Sequence, residues 1–202
     1  MPTMRLFVAL DLDAGIRERI EAFREQVRAL APEPRWVSSE SLHVTLKFIG
    51  EKPDSMTAQI EAALSEIHAA SFLLSFRGAG FFPTPRSARV FWVGIEAENG
   101  LGALAKNVED VLAKLGIEKE NRAFSPHLTL ARGRGRTGAP GRQKKDKPNS
   151  QFARLQQFLE DKPVQEFGTM SAREFFLYRS QLSSKGSQYS KIARFELKAM
   201  AD

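Results

Sequence analysis

The chain contains no cysteine, and its 202 residues include only three histidines, two tryptophans and two tyrosines. The absence of cysteine excludes disulfides, thiolate nucleophiles and thiolate metal sites. Long apolar runs are also missing, since the first run, residues 6–10, ends at Asp11 and no later stretch approaches the length of a membrane span. We therefore expect a cytoplasmic protein without a membrane partner.

Charge of one sign is in moderate excess. The chain has 30 Lys and Arg against 24 Asp and Glu, a formal net charge of +6. Such a balance favours an acidic partner, with nucleic acid ahead of an anionic membrane, but is also found in ordinary basic proteins. A hydrophobic content of 42% is enough for one sizeable domain.

Two of the three histidines lie in copies of one short motif. Each copy reads His-x-Thr-Leu with a branched aliphatic residue at x, and the pairs are His43 with Thr45 and His127 with Thr129. The third histidine, His68, lies outside both copies, and we expect it to be structural. Two matched pairs indicate one active site assembled from two related halves.

The residues around the first motif alternate in polarity, which predicts a strand over residues 42–49. Strict alternation places the motif residues and Lys47 on one face, and Leu42, Val44, Leu46 and Phe48 on the other. Because residues i and i+2 of a strand share a face, each motif presents an imidazole beside a hydroxyl. Lys47 would then share the face of His43, where it touches phosphate or, more commonly for a strand lysine, solvent.

The segments that precede the two motifs follow the same order. An apolar strand over residues 5–12 resembles residues 91–96 at an offset of 85, and an amphipathic helix follows each strand. Asp13 is placed to cap the first of these helices. The motifs themselves recur at an offset of 84, so we infer an internal duplication that gives two lobes related by an approximate two-fold axis.

Further elements are predicted outside this repeat. A helix follows Pro53, strands lie near 71–82 and 89–96, a short helix lies near 151–160, and strands near 165–179 and 188–198 end the chain. Residues 132–150 contain seven Arg and Lys between 132 and 147 and almost no apolar side chain. This composition predicts a basic mobile loop, which either binds RNA phosphates or is merely solvated.

Paired imidazoles and hydroxyls suit a displacement at phosphorus. One imidazole can act as base toward the attacking oxygen and the other as acid toward the departing oxygen. Threonine hydroxyls can donate hydrogen bonds to the non-bridging phosphate oxygens. Two histidines without a carboxylate or cysteine at ligand spacing make a poor zinc site, so we predict no metal and no cofactor. The assignment of acid and base stays open on this reasoning.

Three stretches, RLFVALDL, RWVSSESLHVTLKFIGE and RAFSPHLTLAR, resemble the bacterial RNA 2',3'-cyclic phosphodiesterases, historically called 2'-5' RNA ligases. That family belongs to the two-histidine phosphoesterase superfamily, and the resemblance extends from about residue 4 to residue 198. It implies an α+β fold, with residues 1–202 forming a single bilobal domain. Two pseudo-symmetric lobes, each with an antiparallel sheet and helices, would enclose the active cleft.

The resemblance also implies roles for the motif residues. His43 would protonate the departing 3'-oxygen as a terminal 2',3'-cyclic phosphate opens to a 2'-phosphate, and His127 would activate water. Thr45, Thr129 and Arg132 would bind the phosphate. Strict alternation puts Arg132 on the opposite face from His127, so the strand must end or bulge before it.

The expected partners are RNA ends or nucleotides that carry a 2',3'-cyclic phosphate, and we expect a monomer. Two alternatives remain open. The same residues could join RNA ends through a 2'-5' linkage, the reverse reaction. The chain could also be a nucleotide- or RNA-binding module that has lost turnover, although retention of both motifs argues against this.

Overall fold

A computed structural model of the chain describes residues 2–134, 150–183 and 186–199. Most of the predicted basic loop, residues 135–149, lies outside the described residues. The elements within the described ranges are β1 (Thr3–Asp11), α1 (Ala14–Arg28), β2 (Arg35–Trp36), β3 (His43–Pro53), α2 (Thr57–Ser65), β4 (Phe72–Phe82), β5 (Val90–Glu96), α3 (Asn99–Ala113), β6 (His127–Arg132), α4 (Ala153–Glu160), β7 (Glu166–Ala172), β8 (Glu174–Ser183) and β9 (Gly186–Glu196).

The strands form two antiparallel sheets. One has the order β3-β1-β8-β9 and the other the order β2-β6-β5-β4-β7. In both, the strand that carries a His-x-Thr motif pairs with the strand that begins its half of the repeat, β3 with β1 and β6 with β5. The predicted α+β class with two lobes, each built on an antiparallel sheet, is therefore confirmed.

Local signals in the sequence account for the first helix. The Asp13 carboxylate accepts a hydrogen bond of 2.7 Å from the Ile16 backbone N–H, so it caps α1 as predicted. Ile16, Ile20 and Val27 recur at helical spacing and are fully buried. The helix ends at Arg28, before the two prolines that cannot continue it.

Each of the two long helices reaches the sheet of the other half. Phe23 of α1 packs against Phe91 and Phe167, which lie in the five-stranded sheet, at ring-centroid distances of 6.3 and 5.2 Å. In the other direction, α3 follows β5 of the five-stranded sheet and lies against β3 of the four-stranded sheet. One continuous cluster of buried apolar side chains therefore runs through both lobes.

Two details of the predicted elements are wrong. Residues 165–179 are not one strand, because the chain leaves β7 of one sheet and enters β8 of the other at Arg173. The strands that begin the two halves, β1 and β5, are also related at an offset of 83 rather than 85. Ala9 lies opposite Thr45 and Trp92 lies opposite Thr129, so Ala9 and Trp92 are the equivalent residues. A shift of two residues leaves every side chain of a strand on the same face, so the apolar pattern could not distinguish the two offsets.

None of the helices in the described ranges combines the length and the apolar character that crossing a bilayer requires.

Candidate active site

Each motif opens a strand at the equivalent place of its sheet. His43 is the first residue of β3 and His127 is the first residue of β6. Both histidines and both threonines are partly exposed, whereas the intervening Val44 and Leu128 are fully buried. The predicted alternation is therefore correct from each histidine to the following leucine.

A β-bulge follows the threonine of both motifs. Thr45 pairs with Ala9 and Lys47 pairs with Val8, so Leu46 has no partner of its own. Leu130 is the equivalent extra residue in the second motif, between the Thr129 and Ala131 pairings. Since a bulge inserts one residue, two consecutive side chains point to the buried face and the alternation then resumes with the opposite phase.

The second bulge brings Arg132 to the face of its motif. Leu130 and Ala131 are both fully buried, and Arg132 after them is exposed. For Arg132 to share the face of His127, the strand had to end or bulge before it, and the structure shows the bulge. Arg132 thus lies beyond Thr129 on the same side of β6 as His127.

The first bulge overturns the predicted faces of Lys47 and Phe48. Lys47 is only 3% exposed and binds Glu109, so it neither shares the face of His43 nor contacts solvent. Phe48 is 45% exposed and stacks on Phe7 at 5.9 Å, with an angle of 9° between the rings. The sequence could have revealed this, because the bulge that Arg132 demands implies a bulge at the equivalent place of the other half.

His43 is held among aromatic rings. Its Nδ1 lies 2.8 Å from the Ser41 carbonyl oxygen. The ring centroid is 4.7 Å from that of Phe7 and 5.1 Å from that of Tyr189, which meets it edge-on at 88°. Because the carbonyl can only accept, Nδ1 carries the proton and Nε2 is left for proton transfer.

The side chains packed around the partly exposed His43 ring desolvate it, which lowers its pKa from the ordinary value of 6.5 to about 4. The Ser41 carbonyl and the Asp11 carboxylate oppose this shift, whereas the positive charges of Arg132 and Arg17 add to it. Arg132 belongs to the other lobe, so its field at His43 means that the two motif strands lie close together. The backbones of β3 and β6 approach each other accordingly.

His127 has matching surroundings in the second lobe. Its Nδ1 lies 2.8 Å from the Ser125 carbonyl oxygen, again two residues before the histidine. Phe82 meets the ring edge-on at 86° and 5.0 Å, as Tyr189 meets His43 in the first lobe. Both imidazoles are therefore fixed through Nδ1 by the backbone of their own lobe and leave Nε2 available.

A cavity of about 370 Å³ opens beside His43, lined in part by Arg17, Tyr178 and Lys191. Three of its polar groups, those of Asp11, Tyr178 and Lys191, are paired with one another. The Tyr178 hydroxyl donates to the Asp11 carboxylate, and Lys191 lies 2.5 Å from the other oxygen of that carboxylate. Burial and the neighbouring Asp11 raise the pKa of Tyr178 above its ordinary range, so this hydroxyl stays protonated.

Within the described parts of the chain, no group of three or more His, Asp or Glu side chains is arranged to hold a metal ion.

Comparison with known proteins gives a consistent relationship. A family model described as "LigT like Phosphoesterase" matches the chain twice in succession, over residues 10–92 and 93–189. Each match contains one of the two motifs. The repeated match agrees with the internal duplication inferred from the sequence.

One curated relative matches nearly the whole chain and another matches somewhat less than two thirds of it. An RNA 2',3'-cyclic phosphodiesterase of Archaeoglobus fulgidus is 36% identical over 96% of this chain and 100% of its own length. The protein of the same name from Escherichia coli K12 is 38% identical over 63% of this chain and 71% of its own length.

Solved structures share the fold. Escherichia coli LigT complexed with 3'-AMP has a TM-score of 0.75 at 28% identity, covering 97% of this chain and 99% of that one. A protein of Thermus thermophilus has a TM-score of 0.76 at 28% identity, covering 98% of this chain and 100% of that one.

Proposed function

Since the chain belongs to the LigT-like phosphoesterase family, we propose that it is an RNA 2',3'-cyclic phosphodiesterase that works by acid–base catalysis between two histidines. The observation that carries the proposal is the matched pair of imidazoles. Each is anchored through Nδ1 by a carbonyl two residues earlier, and each has a threonine hydroxyl two residues later on the same strand face.

The substrate is an RNA end or nucleotide with a 2',3'-cyclic phosphate. His127 Nε2 takes a proton from water as the water oxygen forms a bond to phosphorus. The bond from phosphorus to the 3'-oxygen breaks, and His43 Nε2 gives its proton to that oxygen. The products are a 2'-phosphomonoester and a free 3'-hydroxyl, and exchange with solvent restores both imidazoles.

The remaining cleft residues stabilise charge and bind the nucleoside. Thr45 and Thr129 donate hydrogen bonds to the non-bridging phosphate oxygens, and Arg132 supplies a positive charge beside them. Phe48 offers an exposed ring on the strand of the first motif, stacked on Phe7 beneath it. A terminal base can stack on such a ring without sequence preference.

The first experiment is a hydrolysis assay on an oligonucleotide that ends in a 2',3'-cyclic phosphate, with EDTA present. We expect turnover to a 2'-phosphate that EDTA does not reduce, and losses of at least about a thousandfold in His43→Ala and His127→Ala, at the upper end of the range for acid–base groups. His68→Ala is the matched control, because this exposed histidine lies outside both motifs. Full activity of either motif variant would refute the mechanism.

Product analysis separates the competing functions in the same assay. Accumulation of a 2'-5' linkage with an added 5'-hydroxyl RNA would favour ligation, and stoichiometric binding without turnover would favour a binding module. We expect the 2'-phosphate, because water is the abundant nucleophile.

A second experiment assigns acid and base. In a substrate whose 3'-bridging oxygen is replaced by sulfur, the departing thiolate needs no proton. The loss caused by His43→Ala should then shrink by at least tenfold, whereas the loss caused by His127→Ala should persist. The opposite pattern would exchange the two roles.

We further propose that the enzyme acts as a monomer in the cytoplasm. The duplication supports the monomer, since one chain supplies both histidines of the site. Sedimentation at assay concentrations tests it, and a stable dimer would contradict it.

A further inference from the structure

Lys47 is a buried cation within the fold. It is 3% exposed, and its Nζ lies 2.9 Å from Glu109 Oε2 and donates to the Glu118 carbonyl oxygen at 2.7 Å. The bulge at Leu46 turns this side chain inward two residues after Thr45. The group therefore projects from the strand that carries the first motif.

Both partners of Lys47 belong to the other half of the repeat. Glu109 lies in α3, the helix that crosses to pack against β3, and Glu118 lies in the segment of residues 117–126 that leads from α3 to His127. Glu109 Oε2 also accepts from the Glu120 backbone N–H at 3.4 Å. The ion pair thus ties the strand of one motif to the segment that delivers the other.

Stability alone does not call for an ion pair at this place. Removing two charges from water is costly, and well-packed apolar side chains of similar volume often hold a fold as well or better. The second half of the repeat illustrates this, since the residue equivalent to Lys47 is the small, fully buried Ala131. What an ion pair adds is a fixed distance and direction between the two elements that it joins.

We propose that Lys47 is a positioning residue: through Glu109 and the Glu118 carbonyl it sets the placement of the His43 strand relative to His127. Acid and base must lie on opposite sides of one phosphorus atom, and an error of about 1 Å in such an arrangement lowers the rate by about a hundredfold. This inference rests on the proposed function, because it concerns the spacing of the two proposed proton-transfer groups.

The test compares kcat and KM on the cyclic-phosphate oligonucleotide for Lys47→Met, Glu109→Leu and Glu109→Gln. Methionine keeps the length of the side chain without the charge or the donor. Glutamine keeps an oxygen that can accept from Lys47 and from the Glu120 N–H. We expect kcat to fall at least tenfold in Lys47→Met and Glu109→Leu with KM changed less than threefold, and Glu109→Gln to recover most of kcat.

Asp110→Asn is the matched control on the same helix. Asp110 is held by Lys106 and Lys119, which lower its pKa to about 2, so it too fastens the 117–126 segment to α3. In the described residues its hydrogen bonds and ion pairs are to Lys106 and Lys119, and neither lysine lies in β3. We expect its kcat to stay within twofold of the parent.

Calorimetric titration with uridine 2'-monophosphate counts the folded sites and separates positioning from stability. Lys47→Met should bind one equivalent per chain while turning over slowly. A kcat that stays within twofold, or a loss of kcat that equals the loss of binding sites, would overturn the proposal. If Lys47→Met does not fold, the two Glu109 variants decide by the same criteria. Inactivity of the parent chain would instead refute the proposed function.

Discussion

Occupation of the cleft by a phosphate is expected to restore a proton to His43. The free protein holds the pKa of this imidazole at about 4, chiefly because the surrounding side chains desolvate it, so it is neutral at neutral pH. A cyclic phosphate brings one negative charge within hydrogen-bonding reach of Nε2. That charge favours the imidazolium and opposes the effect of burial.

The size of the effect follows from Coulomb's law. Two unit charges about 4 Å apart attract by about 4 kcal/mol at the effective dielectric constant of about 20 that suits sites near a protein surface. One pKa unit corresponds to about 1.36 kcal/mol, so the pKa of His43 should rise by about 3 units, to about 7. The proposed proton donor is then charged in the complex although it is neutral in the free enzyme.

The sign of the pH dependence follows from the same shift. Below about pH 4 His43 is protonated in both states, and well above pH 7 it is neutral in both. Between these values binding takes up a proton, so the affinity for the phosphate should weaken by up to tenfold for each unit of rising pH. The change should be confined to this window.

The assay is NMR titration of the imidazole nitrogens in a His127→Gln variant, with uridine 2',3'-cyclic phosphate as the ligand. The variant removes turnover, and this ligand has no group that titrates in the window. With three histidines in the native chain, His43→Asn identifies the signal. A shift of less than about 1 unit on binding, or an affinity that does not depend on pH, would refute the reasoning.

Three further predictions concern neighbouring residues. Thr129→Ala should lower kcat/KM by about 10- to 100-fold, because a hydrogen bond to a charged group contributes about 1.5–3 kcal/mol. Thr129→Ser keeps the hydroxyl and should recover most of the lost kcat/KM, and equal losses in both variants would contradict the role of the hydroxyl. Phe48→Ala should raise KM by about 5- to 100-fold through loss of base stacking, with little change in thermal stability, and an unchanged KM would refute the stacking role. Gly94→Ala should lower the free energy of unfolding, measured by urea titration, by about 1–3 kcal/mol, because the added Cβ would lie 2.5 Å from the Arg77 carbonyl oxygen. In the control Gly102→Ala the added Cβ meets no atom within 4 Å, so this change should be neutral or stabilising.

The elements that sequence predicted correctly are those with local causes. The cap at Asp13 requires only a carboxylate before an amphipathic run, and the motif strands require only alternation as far as the bulge. The duplication was visible because both halves keep their order of elements and the spacing of their motifs. These signals were sufficient for the two-lobe organisation and for the pairing of the histidines with their threonines, whereas the α+β class was implied by the family resemblance.

What sequence did not reveal depends on contacts between distant segments. The exchange of helices between the two sheets leaves no trace in the periodicity of α1 or α3, since an apolar face does not specify which sheet covers it. Lys47 and Glu109 are 62 residues apart, and neither residue type indicates the partner. The division between β7 and β8 at Arg173 is likewise a change of sheet rather than an end of strand propensity.

The paired bulges bring the fifth residue after each histidine to the face of its motif, and the two residues at this place are unlike. Phe48 occupies this place in one lobe and Arg132 in the other, so the face of one motif carries an aromatic ring and the face of the other a cation. A nucleotide is complementary to this pair of side chains, since it has a flat base at one end and an anion at the other. In the proposed reaction, these two side chains would favour one direction of substrate entry, so that two histidines with nearly identical backbone anchors would meet different oxygens of the same phosphate. In the proposed mechanism, duplication supplies two similar halves, and the unlike side chains at this equivalent place would give the two histidines separate tasks.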